Sequence, residues 1–196
     1  MKTGSNRNEW TRCPRYGEFL ERLRIKYPAF GEQRLKRLLH TMYHESGHGA
    51  IAHHFGVEVA YVKVSLSESD GSHRGEVFYF SGPKIDSDKE TLESFLKINL
   101  AGVMAACKGT GAVNINALWE SNGYDDRQEA FTLIGRIAPR SRDRCLETAE
   151  MHVKELLASS DLWHRVQLLI NALIEKPVVP MDDFYRLLGA KNSSGK

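Results

Sequence analysis

Two histidines four positions apart, His44 and His48, flank Glu45 in the stretch "MYHESGHGAIAHHFG", residues 42–56, giving the pattern His-Glu-x-x-His. On an α-helix, positions i and i+4 lie about 40° apart around the axis and one turn up the same face. Two imidazoles so placed converge on one cation. Zinc takes neutral nitrogen ligands in tetrahedral geometry, and its catalytic sites leave one position for water. A glutamate next to the first ligand projects beside the metal rather than onto it. There it can accept a proton from water attacking a carbonyl and deliver it to the leaving amine. The chemistry these residue types and this spacing suit is zinc-assisted hydrolysis with Glu45 as general base.

The remaining histidines carry weaker signals. His53 and His54 do not continue the four-residue series from His48 and lie at the helix end, where partly charged histidine suits the dipole, so a structural or solvent-facing role is expected. His40, one turn before His44, is a lesser candidate ligand because the His44/His48 pair is the more specific one. His73, His152 and His164 have no ligand-type spacing. Gly47 stands inside the motif helix, where glycine costs about 1 kcal/mol relative to alanine, and this points to a close packing requirement.

The element that must hold the motif is a long helix. Leu35, Leu38, Leu39, Met42, Ser46, Gly47 and Ala50 fall at helical spacing from Glu32 onward, and Gly56 is a suitable terminator. A short helix, "YGEFLERLRIKYP", precedes it and stops at Pro28. After it the period changes to two: "VEVAYVKVSL" and "GEVFYF" read as strands of a small antiparallel sheet around the turn-like "SESDGSHR". Ser87 or Asp88 can cap a second long apolar helix, "KETLESFLKINLAGVMAACKG". A Gly- and Asn-containing connection then leads to "DDRQEAFTLIGRI", ended by Pro139. Helical patterns at "RDRCLETAEMHVKELLASS", "DLWHRVQLLINALIEKP" and "MDDFYRLLG" complete the chain. The expected fold is mainly α, with a small antiparallel β-sheet inserted after the metal-binding helix. Residues 1–30 read as a leader with a short helix, 31–189 as one domain, and 190–196 as a disordered tail.

At 196 residues, 41% hydrophobic and 27% charged, the chain has an ordinary globular composition. A net charge of +2 with both signs interspersed disfavours a nucleic-acid partner, and no aromatic-basic recognition pattern occurs. Cys13, Cys107 and Cys145 are odd in number and scattered, which fits neither a disulfide framework nor a cysteine zinc knuckle and suggests a reducing, cytoplasmic compartment. The first residues contain no apolar h-region, and the run "INLAGVMAAC" falls far short of the ~20 residues needed to span a bilayer.

Beyond the motif, the sequence resembles the peptidase domain of the FtsH family of ATP-dependent zinc metalloproteases. "YHESGHGAIA" is similar to that family's "HEAGHA" helix, and "VAYVKVSL" with "RGEVFYF" to the strand pair that follows it. "INLAGVMAA" resembles its "LAGRAAE" helix, "ESNGYDDRQEAFTLIGRI" the segment "SNDLxxATxIA", and "LLINALIEKPVVPMDDFYRLL" its final helix. These matches run in the family's order over about residues 35 to 189. The resemblance implies His44 and His48 as zinc ligands, Glu45 as general base and Asp126 as third ligand, since Asp126 precedes Ala130 at the family's spacing. Asp125 takes the place of the family's asparagine, so two adjacent carboxylates compete for the third position.

The resemblance further implies a zinc-dependent endopeptidase acting on unfolded or accessible polypeptides, with residues near Gly75 to Phe80 offering a strand edge to an extended substrate. No G-x-x-x-x-G-K-[ST] occurs in the sequence, so a free-standing peptidase domain is expected, fed by a separate ATPase if by any. The family's domains form six-membered rings, which implies a homo-oligomer, although no surface signal in the sequence itself points to one. The alternative is a catalytically silent domain of the same fold acting as an interaction module. Retention of Glu45 favours the enzyme, because a module that only binds has no need of a general base.

Overall fold

Sixteen consecutive residues of one helix, from Leu38 to His53, are buried, and the rest of the molecule is arranged around them. The computed structural model describes residues 12–67, 72–111 and 124–189. The expected leader before residue 12, most of the connection before Tyr124 and the expected tail after residue 189 lie outside them. The described elements are α1 (Tyr16–Lys26), α2 (Glu32–His54), β1 (Val59–Leu66), β2 (His73–Tyr79), α3 (Lys89–Thr110), α4 (Tyr124–Ile137), α5 (Arg142–Ala158), α6 (Ser160–Glu175), β3 (Val178–Pro180) and α7 (Met181–Leu188). The chain is thus mainly helical with one three-stranded antiparallel sheet. None of the described helices is long and apolar enough to cross a membrane.

The spacing of apolar residues predicts an amphipathic α2, yet from Leu38 to His53 the helix is covered on every side. α3 is its most extensive neighbour, with α6, both long strands and α1 closing the remaining faces. The local reason is the small-residue run Ser46, Gly47, Gly49, Ala50 and Ala52, which lets neighbours approach closely all round. A methyl at Gly47 would lie 2.5 Å from Ala105 Cβ and 2.6 Å from the Ala101 carbonyl oxygen, so the expected packing requirement is a backbone-to-backbone approach of α2 and α3. Gly56, at φ 70°, takes the left-handed conformation that ends α2.

α1 is part of the same core. Its Phe19, Leu20 and Leu23 are buried, and the Phe19 ring meets Tyr43 edge-on at 6.2 Å. Asp88 caps α3 by accepting a hydrogen bond from the Thr91 amide at 2.7 Å. Ser159 caps α6 in the same way through the Leu162 amide.

The sheet has the order β2-β1-β3. β1 pairs antiparallel with β2, Val64 opposite Gly75 and Val62 opposite Val77, and this leaves β2 on the outside. β3 is an addition to the two strands that alternation reveals. It has only three residues, paired through Tyr61↔Pro180 and Val62↔Val179, too short to show a period. Pro180 is tolerated because β3 is an edge strand. β2 alternates between half-buried and exposed residues, with Gly75, Val77 and Tyr79 on the side facing the core.

Candidate metal centre

α2 places His44 and His48 one above the other, as their spacing requires, and both are 5% exposed. α4 begins beside them and contributes Asp126. The His44 Nε2 to Asp126 Oδ2 distance is 2.8 Å, His48 Nε2 lies 2.9 Å from His44 Nε2, and His48 Nε2 lies 3.3 Å from Asp126 Oδ2. Two nitrogens and one oxygen therefore form a triangle. Ligands about 2 Å from a tetrahedral zinc stand roughly 3.3 Å apart. The donor set and its dimensions suit a divalent metal held by three protein ligands, and it is the one His/Cys/Asp/Glu group of that kind among the described residues.

The orientation of His48 is set by its other nitrogen. Nδ1 donates to the Ile98 carbonyl of α3 at 2.7 Å, which fixes the tautomer and turns the Nε2 lone pair toward His44 and Asp126. His44 Nδ1 is buried with no hydrogen-bond partner among the described residues. Burial works against a charged His48, but the Asp126 carboxylate outweighs it, with help from Glu45, and lifts His48 to about 9. Burial would likewise raise the Asp126 carboxyl; the two imidazoles override it and hold Asp126 well below the usual carboxylate range. The centre therefore already stabilises positive charge next to Asp126, and a metal entering it displaces a proton.

Glu45 is 7% exposed and borders the same cleft without belonging to the triangle. Burial pushes its carboxyl up, against the pull of His44 and His48 and with the Asp126 and Glu76 carboxylates adding to the rise. A carboxyl raised in this way is a better proton acceptor near neutral pH than a solvated one.

The cleft has a volume of about 640 Å³. Its walls come from α2, from β2 through Gly75, Val77 and Tyr79, from α3 through Phe95 and Asn99, and from the start of α4 through Asp125, Asp126 and Glu129. Several of these residues carry no motif. Asn99 donates to Glu129 across α3 and α4 at 3.3 Å. Tyr79 is pushed well above its ordinary value by burial and by Glu45, Asp126 and Glu129, so its hydroxyl stays protonated in the cleft. A buried asparagine in an apolar helix is a sequence signal for Asn99, whereas nothing local marks Tyr79 or Glu129.

The other histidines separate clearly. His53 is buried away from the cleft, with Nε2 donating to the Gly189 carbonyl at 3.1 Å and Nδ1 accepting from Arg165 at 2.8 Å. His54 is exposed. His40 is buried next to the site and absent from the ligand triangle. His73, unmarked by spacing, lines the cleft at the start of β2, while His164 is exposed. Of the two adjacent aspartates, Asp126 enters the triangle and Asp125 lines the cleft beside it. The chain matches no protein-family model and no curated protein.

Proposed function

We propose that the protein is a zinc-dependent endopeptidase of the FtsH type, acting on unfolded or accessible stretches of polypeptide. The observation that carries this reading is a His44/His48/Asp126 triangle, its two imidazoles buried and its carboxylate half-buried, with Glu45 beside it, opening on one cleft. Three protein ligands of this composition match the catalytic rather than the closed structural type of zinc site. Zinc, when bound there, supplies a Lewis acid that acidifies water and polarises a peptide carbonyl.

The chain's own groups divide the remaining work. Glu45, with its carboxyl raised by burial, takes the proton of the attacking water and passes it to the departing amide nitrogen. Ile98 holds His48 in the tautomer that presents Nε2. β2 is an outer strand and borders the cleft, so a substrate can add to it as a further strand through Gly75–Phe80, binding by its backbone with little sequence preference.

The test is Glu45→Gln. The variant is expected to hold about one zinc per chain, like wild type, and to lose cleavage of unfolded casein by a hundredfold or more. Wild-type protein with a full complement of zinc and no cleavage of any unfolded substrate would instead identify a silent module of the same architecture.

A further inference from the structure

Two glycines outside the motif face its reactive atoms, and both sit where glycine is unfavourable. Gly102 is in the middle of α3, where alanine is the better helix former by about 1 kcal/mol, and Gly75 is inside β2, where glycine weakens a strand. Neither has a backbone that calls for glycine, since among the described residues positive φ is confined to Gly56, Gly111 and Gly189. Space is the remaining reason. A methyl at Gly102 would lie 2.7 Å from both His44 Nε2 and His48 Cε1, and closer still to His48 Nε2. A methyl at Gly75 would fall on Glu45, inside any real carbon contact with its Oε1, Cδ and Cγ.

We infer that these two glycines are positioning residues with separate tasks: Gly102 keeps open the place where the metal meets its imidazoles, and Gly75 seats the Glu45 carboxylate. The Gly75 half rests on the peptidase reading, while the Gly102 half requires only that the triangle binds metal. Gly47 provides the contrast. The atoms its missing methyl would strike belong to Ala105 and the Ala101 backbone, so its task is to bring helices together.

The three substitutions to alanine therefore fail in three ways. Gly102→Ala is expected to weaken zinc binding at least a hundredfold, measured by competition with a chromophoric chelator. Its zinc-free melting temperature should fall less than that of Gly47→Ala, because the added methyl meets side-chain ends rather than backbone. Gly75→Ala should bind zinc within about threefold of wild type and keep the wild-type absorption spectrum when loaded with cobalt(II). Its kcat on unfolded casein should fall at least tenfold with KM within about twofold. Adding Glu45→Gln to Gly75→Ala should cost far less than the same change costs in wild type, since both remove the function of one carboxylate. Gly47→Ala should lower the melting temperature with and without zinc.

Wild-type zinc affinity in Gly102→Ala overturns its assignment. Wild-type kcat in Gly75→Ala, or zinc loss as deep as that of Gly102→Ala, overturns the other. A zinc-loaded wild type that cleaves nothing overturns the peptidase reading and the Gly75 task with it, whereas the Gly102 task is still decided by zinc affinity alone.

Discussion

His48 and His53 lie on the same helix, five residues apart and both buried, and they meet opposite surroundings. His48 donates one nitrogen to a carbonyl and turns the other toward a second imidazole and a carboxylate. His53 also donates to a carbonyl, but its second nitrogen accepts from the Arg165 guanidinium, which is paired in turn with Asp161 at 2.9 Å. A carboxylate opposite an imidazole invites a cation. A guanidinium occupies the lone pair and repels one. Histidine count and burial do not separate ligand from scaffold; the charge facing the second nitrogen does.

The strongest way to break that comparison is to remove the carboxylate. Asp126→Ala leaves two buried imidazoles with no anionic partner and is expected to weaken zinc binding at least a hundredfold. Asp125→Ala should change it less than about threefold, because Asp125 borders the cleft outside the triangle. Chelator competition on both variants decides it, and equal losses would move the third ligand or divide it between them. The same loss should appear as stability. Zinc at 1,000 times its wild-type dissociation constant adds about 4 kcal/mol to wild type, read as a melting shift reversed by EDTA, and no more than about 1.4 kcal/mol to Asp126→Ala at the same concentration.

His40 sharpens the comparison from the acid side. Burial, with smaller effects from His44 and His73, lowers it from 6.5 to about 4. The unfolded chain takes up this proton near pH 6.5 and the folded chain only near 4, so stability is intact above that window and lost as the pH falls through it. The gap amounts to roughly 3 kcal/mol. His48 does not mimic this loss, because its raised value places its own change above pH 6.5. Urea unfolding of zinc-free wild type and His40→Gln between pH 7 and 4 should show a steeper decline in wild type; parallel curves would mean that folding does not lower His40.

The smallest effect belongs to His53. His53→Ala removes the link to Gly189 and the contacts with the Phe184 and Tyr185 rings, at centroid distances of 5.9 Å and 6.0 Å. It is expected to reduce stability by about 2 kcal/mol and to leave zinc affinity unchanged. Loss of metal in that variant would contradict the separation drawn between the two histidines.

Much of this arrangement is legible in the residues. The helix that begins at Glu32 and stops before Gly56, the change to period two after it and the return to helix at Lys89 all follow from apolar spacing and end signals, and the structure has them. Less visible are features whose cause lies in another part of the chain. β3 exists only because β1 has a free edge for three residues to join. The small residues of α2 permit close neighbours, but that α3, α6, α1 and the two long strands cover it between them is a property of the whole chain. Gly75 and Gly102 resemble ordinary glycines until the side chains opposite them are known.

The sequence by itself determined that His44 and His48 converge, because four residues of helix is a local geometry that needs no other part of the molecule. It also determined that Glu45 stands beside them. The resemblance pointed to Asp126, but that its carboxylate, 82 residues from His44, reaches the two imidazoles was decided only by tertiary structure. So were the Ile98 carbonyl that aims His48 and the Arg165 guanidinium that occupies His53. Each of these depends on how α3, α4 and α6 settle around α2, and that packing is set by the summed burial of many side chains rather than by the spacing of a few.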